Sequence, residues 1–275
     1  MKKNPITSSV IGPDGKPAPG VQGAIMKAVG VQRPLVLAYL KRMRRKHPSH
    51  TAEQLARLVE RDYLLAITGS GAAVGATAVI PGVGTVAALG FSATATVAFL
   101  EASALYAQSL AELHGITTED PNKARVLVMA ILMGDEGSSM IAALTHQAAG
   151  RGAGPVKGWA AVFGKGGKSK SPNLWSTFQS TMQRTFLRKM LATQGASMLG
   201  RMVPFGIGAA VGGFGNRFLG KKVIEAAALA FGTLPTTIPG QLISEGERVG
   251  AMAEVEAGIE AERRRREVGA PAVER

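Results

Sequence analysis

Cysteine is absent from the 275-residue chain. That excludes disulfides, thiolate metal ligands and a cysteine nucleophile, and it suits a reducing compartment. Charged residues are sparse, at 19% against roughly 25% in an average soluble protein. Aromatic residues supply only 5%, so large rings are not available to fill the interior. Acid is missing from a third of the molecule, with no Asp or Glu from Gly137 to Ile224. Alternating Val/Ile/Thr runs bounded by Asn-Gly or Asp-Gly turns are also lacking, which removes the usual signature of strands. The opening MKKNPITSSVIGPDGKPAPG holds no apolar run of about 7–15 residues and does not read as a secretory signal.

What is there is small and apolar. Residues of the apolar class make up 46%, and 35 are glycine. Small residues let helix backbones approach closely, and the expected fold is all-α, a helical bundle carrying two Gly/Ala-rich hairpins hinged at Pro-Gly. The first hairpin lies in the uncharged stretch between Asp62 and Glu101, with Pro81, Gly82 and Gly84 as its turn. Its arms are expected at Leu64–Ile80 and Thr85–Leu100, the second continuing to His114 and stopping at Gly115. The second unit, Leu199 to Asn216, has Pro204, Gly206 and Gly208 as its hinge, and its echo of the first suggests a degenerate internal repeat. A bilayer span needs about 20 mostly apolar residues, so the first arm is marginal. The hairpins either dip into a bilayer or form the centre of a bundle in water.

Other helices follow from caps and periodicity. Pro34–Lys46 ends in Lys41, Arg42, Arg44, Arg45 and Lys46, and cations suit a helix C-terminus. Ser49 or Thr51 can cap the next helix, which runs through Leu55, Leu58, Val59 and Asp62. Asp120 and Pro121 open Lys123–Met133, and Ser138–Ala148 follows, with Asp135 and Glu136 read as loop carboxylates between two glycines. From Asn173, Leu174, Phe178, Met182, Phe186 and Met190 recur every four residues. That helix either packs on its own domain or lies in a membrane interface. Lys221–Phe231 is a further helix ended by Gly232, and Gln241–Arg266 a last one that becomes charged. The resulting organisation is a flexible lead at 1–33, an N-terminal half at 34–150, a Gly/Lys-rich linker at 151–172, a C-terminal half at 173–266 and a tail at 267–275.

Net charge is +13, and twelve of the 32 basic residues fall inside the acid-free stretch from Gly137 to Ile224. The remaining 20 stand against 19 acids, about +1, so the whole excess is in that third. Such a segment is expected to meet something anionic. The candidate lipid- or anion-binding residues are Lys41, Arg42, Arg44, Arg45, Lys165, Lys168, Arg184, Arg188 and Lys189. No zinc finger, helix-turn-helix or aromatic RNA-binding sheet is recognisable, so specific nucleic-acid binding is not expected.

Catalytic motifs are wanting. Gly164-Lys-Gly-Gly-Lys-Ser169 fails the phosphate-loop pattern because Val162 stands where its first glycine is required. His47, His50, His114 and His146 form no helical ligand pair, and no G-x-S-x-G elbow exists. No catalytic residue, metal or cofactor is nominated. Asn216 and Glu225 are candidate functional polar residues because both flank the second apolar unit.

Several segments in order resemble the EcsC protein family: I-P-G-V-G ending at Gly84, A-L-Y-A-Q-S-L-A-E-L-H-G-I-T over Ala104–Thr117, and R-V-L-V-M-A-I-L-M-G ending at Gly134. V-P-F-G-I-G-A-A-V-G-G-F-G-N ending at Asn216 and A-A-A-L-A-F-G ending at Gly232 complete them. The resemblance covers about residues 62–232 and implies one helical, bacterial domain, named after a component encoded with an ABC transporter; it brings no catalytic residues. The expectation is an accessory or interaction protein on the cytoplasmic face of a bacterial envelope, with anionic lipid and an envelope or transporter protein as partners. A soluble helical protein enclosing a lipid or other apolar ligand, and a hydrolase with an unidentified site, are the alternatives.

Overall fold

Helix boundaries in the computed structural model follow the local chemistry of caps and glycines. The structure describes residues 19–77, 85–116, 119–149, 172–199, 208–242 and 260. Within them lie α1 (Pro19–Ala28), α2 (Arg33–Lys46), α3 (Ala52–Thr77), α4 (Thr85–Leu113), α5 (Pro121–Met133), α6 (Asp135–Ala149), α7 (Pro172–Leu199), α8 (Gly208–Phe231) and a 3₁₀ turn at Gly240–Leu242. Helices and turns are the regular structure among the described residues, so the all-α class holds.

Thr51 starts α3 through a capping box: its Oγ1 accepts from the Gln54 amide at 3.3 Å, and Gln54 Oε1 accepts from the Thr51 amide at 2.9 Å. Asp120 opens α5, accepting from the Asn122 amide at 2.8 Å, with Pro121 at the first helical position. Gly115, Gly134 and Gly232 end α4, α5 and α8 at φ of +72°, +66° and +68°, where a β-carbon would be strained. After Gly115 the Ile116 amide donates back to the Ala111 carbonyl at 2.8 Å, closing the last turn of α4.

The core centres on α5. Ala124, all of Val126–Ile131 and Met133 are buried, the pattern of a helix surrounded by others. It packs against α4, α6, α7 and α8, while α8 lies along α3 and α2 packs on α4. Both halves of the chain feed one cluster: Met182, Phe186, Val223, Ala227 and Phe231 join Leu40, Leu55, Leu100, Leu127 and Met129. The four-residue stripe of α7 faces this interior, with Met182 and Phe186 buried and Phe178 and Met190 packed at its edge. Its apolar side is therefore occupied by the protein's own core.

Four expectations are corrected. Residues 19–33 are not a loose lead: α1 inserts Ile25 and Ala28 into the core, with Val29 just beyond its end, and its glycines are tolerated because packing outweighs propensity. The helices expected to part near Asp62–Leu64 are one, α3, because loss of charge changes a helix's surroundings without breaking its hydrogen bonds. Asp135 and Glu136 form the first turn of α6 rather than a loop, since Gly134 alone makes the reversal. Gly208 is a helical residue, and α8 continues from it through Lys221 without the expected break. Pro81, Gly82, Gly84, Pro204 and Gly206 lie outside the described residues, as do Lys165, Lys168, the linker to residue 171 and nearly all of 243–275. α4 nevertheless starts four residues after Pro81, and α8 four after Pro204. Among the described residues no helix is long and apolar enough to cross a membrane.

Candidate functional site

The candidate cations separate into structural and exposed groups. Arg44 Nη1 donates to the His50 carbonyl at 2.7 Å and folds the α2–α3 turn. Lys189 Nζ donates to the Met133 carbonyl at the end of α5 (2.8 Å) and reaches Glu136 Oε2 at 3.3 Å, tying α7 to the α5–α6 turn. Both side chains hold the fold together. Lys41, Arg42 and Arg45 are exposed on α2, and Arg184 and Arg188 on α7. These clusters sit in different surroundings, α2 chiefly against α4 and α7 against α5 and α6.

Asn216 and Glu225 also resolve into physical roles. Asn216 Nδ2 donates to the Ile67 carbonyl on α3 at 3.1 Å. One turn on, Gly220 sits against Ile67 with Leu64 close by, so Asn216 and Gly220 make the close α3–α8 crossing. Glu225 is an exposed acid paired with Lys222 at 2.8 Å, and that hydrogen bond raises the lysine's pKa.

On the outer face of α8, Glu225 is joined by side chains that no sequence motif marks. Phe218 is 62% exposed, Leu219 52% and Leu229 68%; these are three of the five large hydrophobic side chains exposed among the described residues. Arg217, Lys221 and Lys222 are exposed beside them, with Lys222 Nζ 5.9 Å from the centre of the Phe218 ring. Phe218, Lys222, Glu225 and Leu229 follow one another at helical spacing, forming a single outward stripe. The signal is hidden in the sequence because a boundary drawn between Asn216 and Lys221 separates Phe218 and Leu219 from the rest of this stripe.

A second polar group is buried. Arg33 Nε meets Glu112 Oε1 at 2.6 Å and its Nη2 meets Glu112 Oε2 at 3.2 Å. Glu112 is 2% exposed and Arg33 20%, and the hydrogen bond to Glu112 raises the arginine's pKa. One turn earlier on α4, Gln108 donates to the Val31 carbonyl at 3.2 Å. These contacts fix the α1–α2 turn to α4 across 77 and 79 residues of sequence, a separation no local pattern reveals.

His114 is likewise structural: its Nδ1 lies 2.8 Å from the Leu110 carbonyl and its ring stacks on Phe231 at 5.1 Å. Among the described residues no three His, Cys, Asp or Glu side chains gather as metal ligands. Comparison of the chain with protein-family models, curated proteins and solved structures gave no match.

Proposed function

We propose that this chain is a non-enzymatic accessory protein that attaches peripherally to the anionic cytoplasmic face of a bacterial envelope membrane. The observation that carries the reading is the uneven charge along the chain: the whole excess of a +13 chain falls in an acid-free third, and its cations Arg184, Arg188, Arg217 and Lys221 are exposed. Each basic residue near an anionic leaflet contributes about 1 kcal/mol, falling off within a Debye length. Four meeting one leaflet together would contribute about 4 kcal/mol, a weak and reversible attachment that needs no spanning helix. The Pro-Gly-hinged hairpins enter this proposal as segments that dip into the interface. The EcsC resemblance, with an envelope or transporter protein as partner, belongs to the same proposal.

Flotation with liposomes tests it. The protein should rise with vesicles containing phosphatidylglycerol at about 0.1 M salt, stay behind with pure phosphatidylcholine, and be released at about 1 M salt, where screening is nearly complete. Quantitative recovery in the soluble fraction with both lipids would overturn the proposal.

A further inference from the structure

We infer that the outward stripe of α8, from Arg217 to Leu229, is the surface that seats on the lipid, with Phe218 and Leu219 entering the acyl boundary. This rests on the membrane reading above and names the contact for it. Single exposed hydrophobics are ordinary. Two adjacent ones among cations are the composition of an interfacial helix, which inserts apolar side chains while Lys and Arg meet phosphates. Arg217, Lys221 and Lys222 lie within six residues, a rise of about 7.5 Å at 1.5 Å per residue, so all three flank Phe218 and Leu219. Leu229 stands eleven residues beyond Phe218 on the same stripe, about 16 Å away, so the helix would lie along the surface with an apolar contact at each end.

Charge complementarity selects lipid over a second copy of this chain. Three cations of α8 face Glu225, already paired with Lys222, and Asp135 of α6, which acts on Lys222 from the side, so the face stays net positive at about +1. Two such faces brought together would oppose like charges around their apolar centres. An anionic headgroup layer neutralises the cations and leaves the apolar tips a place to go. The inner side of α8 is independently held by Asn216 and Gly220 on α3, so the stripe can meet lipid without unpacking the bundle.

Two variants test this by phosphatidylglycerol vesicle flotation and by fluorescence. Phe218→Ser with Leu219→Ser should weaken vesicle partitioning at least tenfold while leaving helicity unchanged, since both side chains are already largely in water. Phe218→Trp should add an emission band that shifts to the blue with these vesicles and is quenched by lipids brominated on their acyl chains. Wild type that floats, together with an unweakened double serine variant and an unshifted added band in the Phe218→Trp variant, would overturn the inference and leave the wider membrane reading intact. Failure of the wild type to float would remove both. A wild-type dimer that the double serine variant converts to monomer would also overturn it, by putting a second copy on this face.

Discussion

A β-carbon at Gly137 would overlap the carbonyl oxygen of Ala130 and come within 2.6 Å of its Cα and 2.7 Å of its carbonyl carbon. All three atoms are helix backbone, which cannot rotate away as a side chain can, so α5 and α6 touch here only because residue 137 has no side chain. Gly220 makes a useful contrast. A β-carbon there would meet the terminal Cδ1 methyl of Ile67, a movable atom. Replacing glycine by alanine inside a helix gains up to about 1 kcal/mol in propensity, which opposes the clash at both sites. Gly137→Ala should lower stability by about 2 kcal/mol net, as overpacking against a fixed wall does. Gly220→Ala should lie within about 1 kcal/mol of wild type, because a side-chain end can move aside at less cost than helix backbone. Ile67→Val, which removes Cδ1, should recover what that variant loses. Urea unfolding followed by helical circular dichroism measures all of these. Equal losses at the two glycines would contradict the distinction between backbone and side-chain obstacles.

At the scale of elements, the least legible feature is α1 and its attachment. Its sequence holds three glycines or prolines within Pro19–Gly23 and no capping signature, and its apolar residues make sense only once α4 is in place to cover them. Arg33 and Glu112 carry no mutual signal for the same reason. By contrast, the ends of α4 and α5 are readable because Gly115, Asp120 and Pro121 act through their own backbone. The α7 stripe is readable because a period of four survives any partner, although not which partner it meets. The α8 face is lost to a boundary drawn at a change of composition, and composition does not interrupt i to i−4 hydrogen bonding. Removing one member of the Arg33–Glu112 pair leaves the other charge buried, which typically costs about 3–5 kcal/mol. Arg33→Met should cost at least about 3 kcal/mol, because the carboxylate it leaves behind, Glu112, is 2% exposed. Arg33→Met combined with Glu112→Leu should regain most of the loss. Hydrogen exchange should report faster opening of α1 in the single variant than in the double one.

Across the whole molecule, the chain's three tyrosines belong to α2, α3 and α4. Tyr39 Oη donates to Asp62 at 3.3 Å, Tyr63 Oη lies 2.9 Å from Ser103 Oγ, and the Tyr63 and Tyr106 rings stack at 4.7 Å. Burial pushes all three phenols well above the ordinary tyrosine value. Asp62 adds to this at Tyr39 and Glu60 at Tyr106, while the Ser103 hydrogen bond partly offsets it at Tyr63. A folded pKa above the unfolded one means stabilisation that is complete below pH of about 10 and is lost as pH rises toward the folded value. Well above pH 10 the unfolded chain has released these protons and the folded chain has not. Unfolding free energy should then fall by about 1.4 kcal/mol per pH unit for each of the two deeply buried tyrosines, Tyr63 and Tyr106. Phenolate absorbance near 295 nm should therefore stay low past pH 10 while helicity persists, then rise together with loss of helical dichroism in one transition. Gradual ionisation of all three tyrosines around pH 10 with helicity intact would show that α2, α3 and α4 do not close over them.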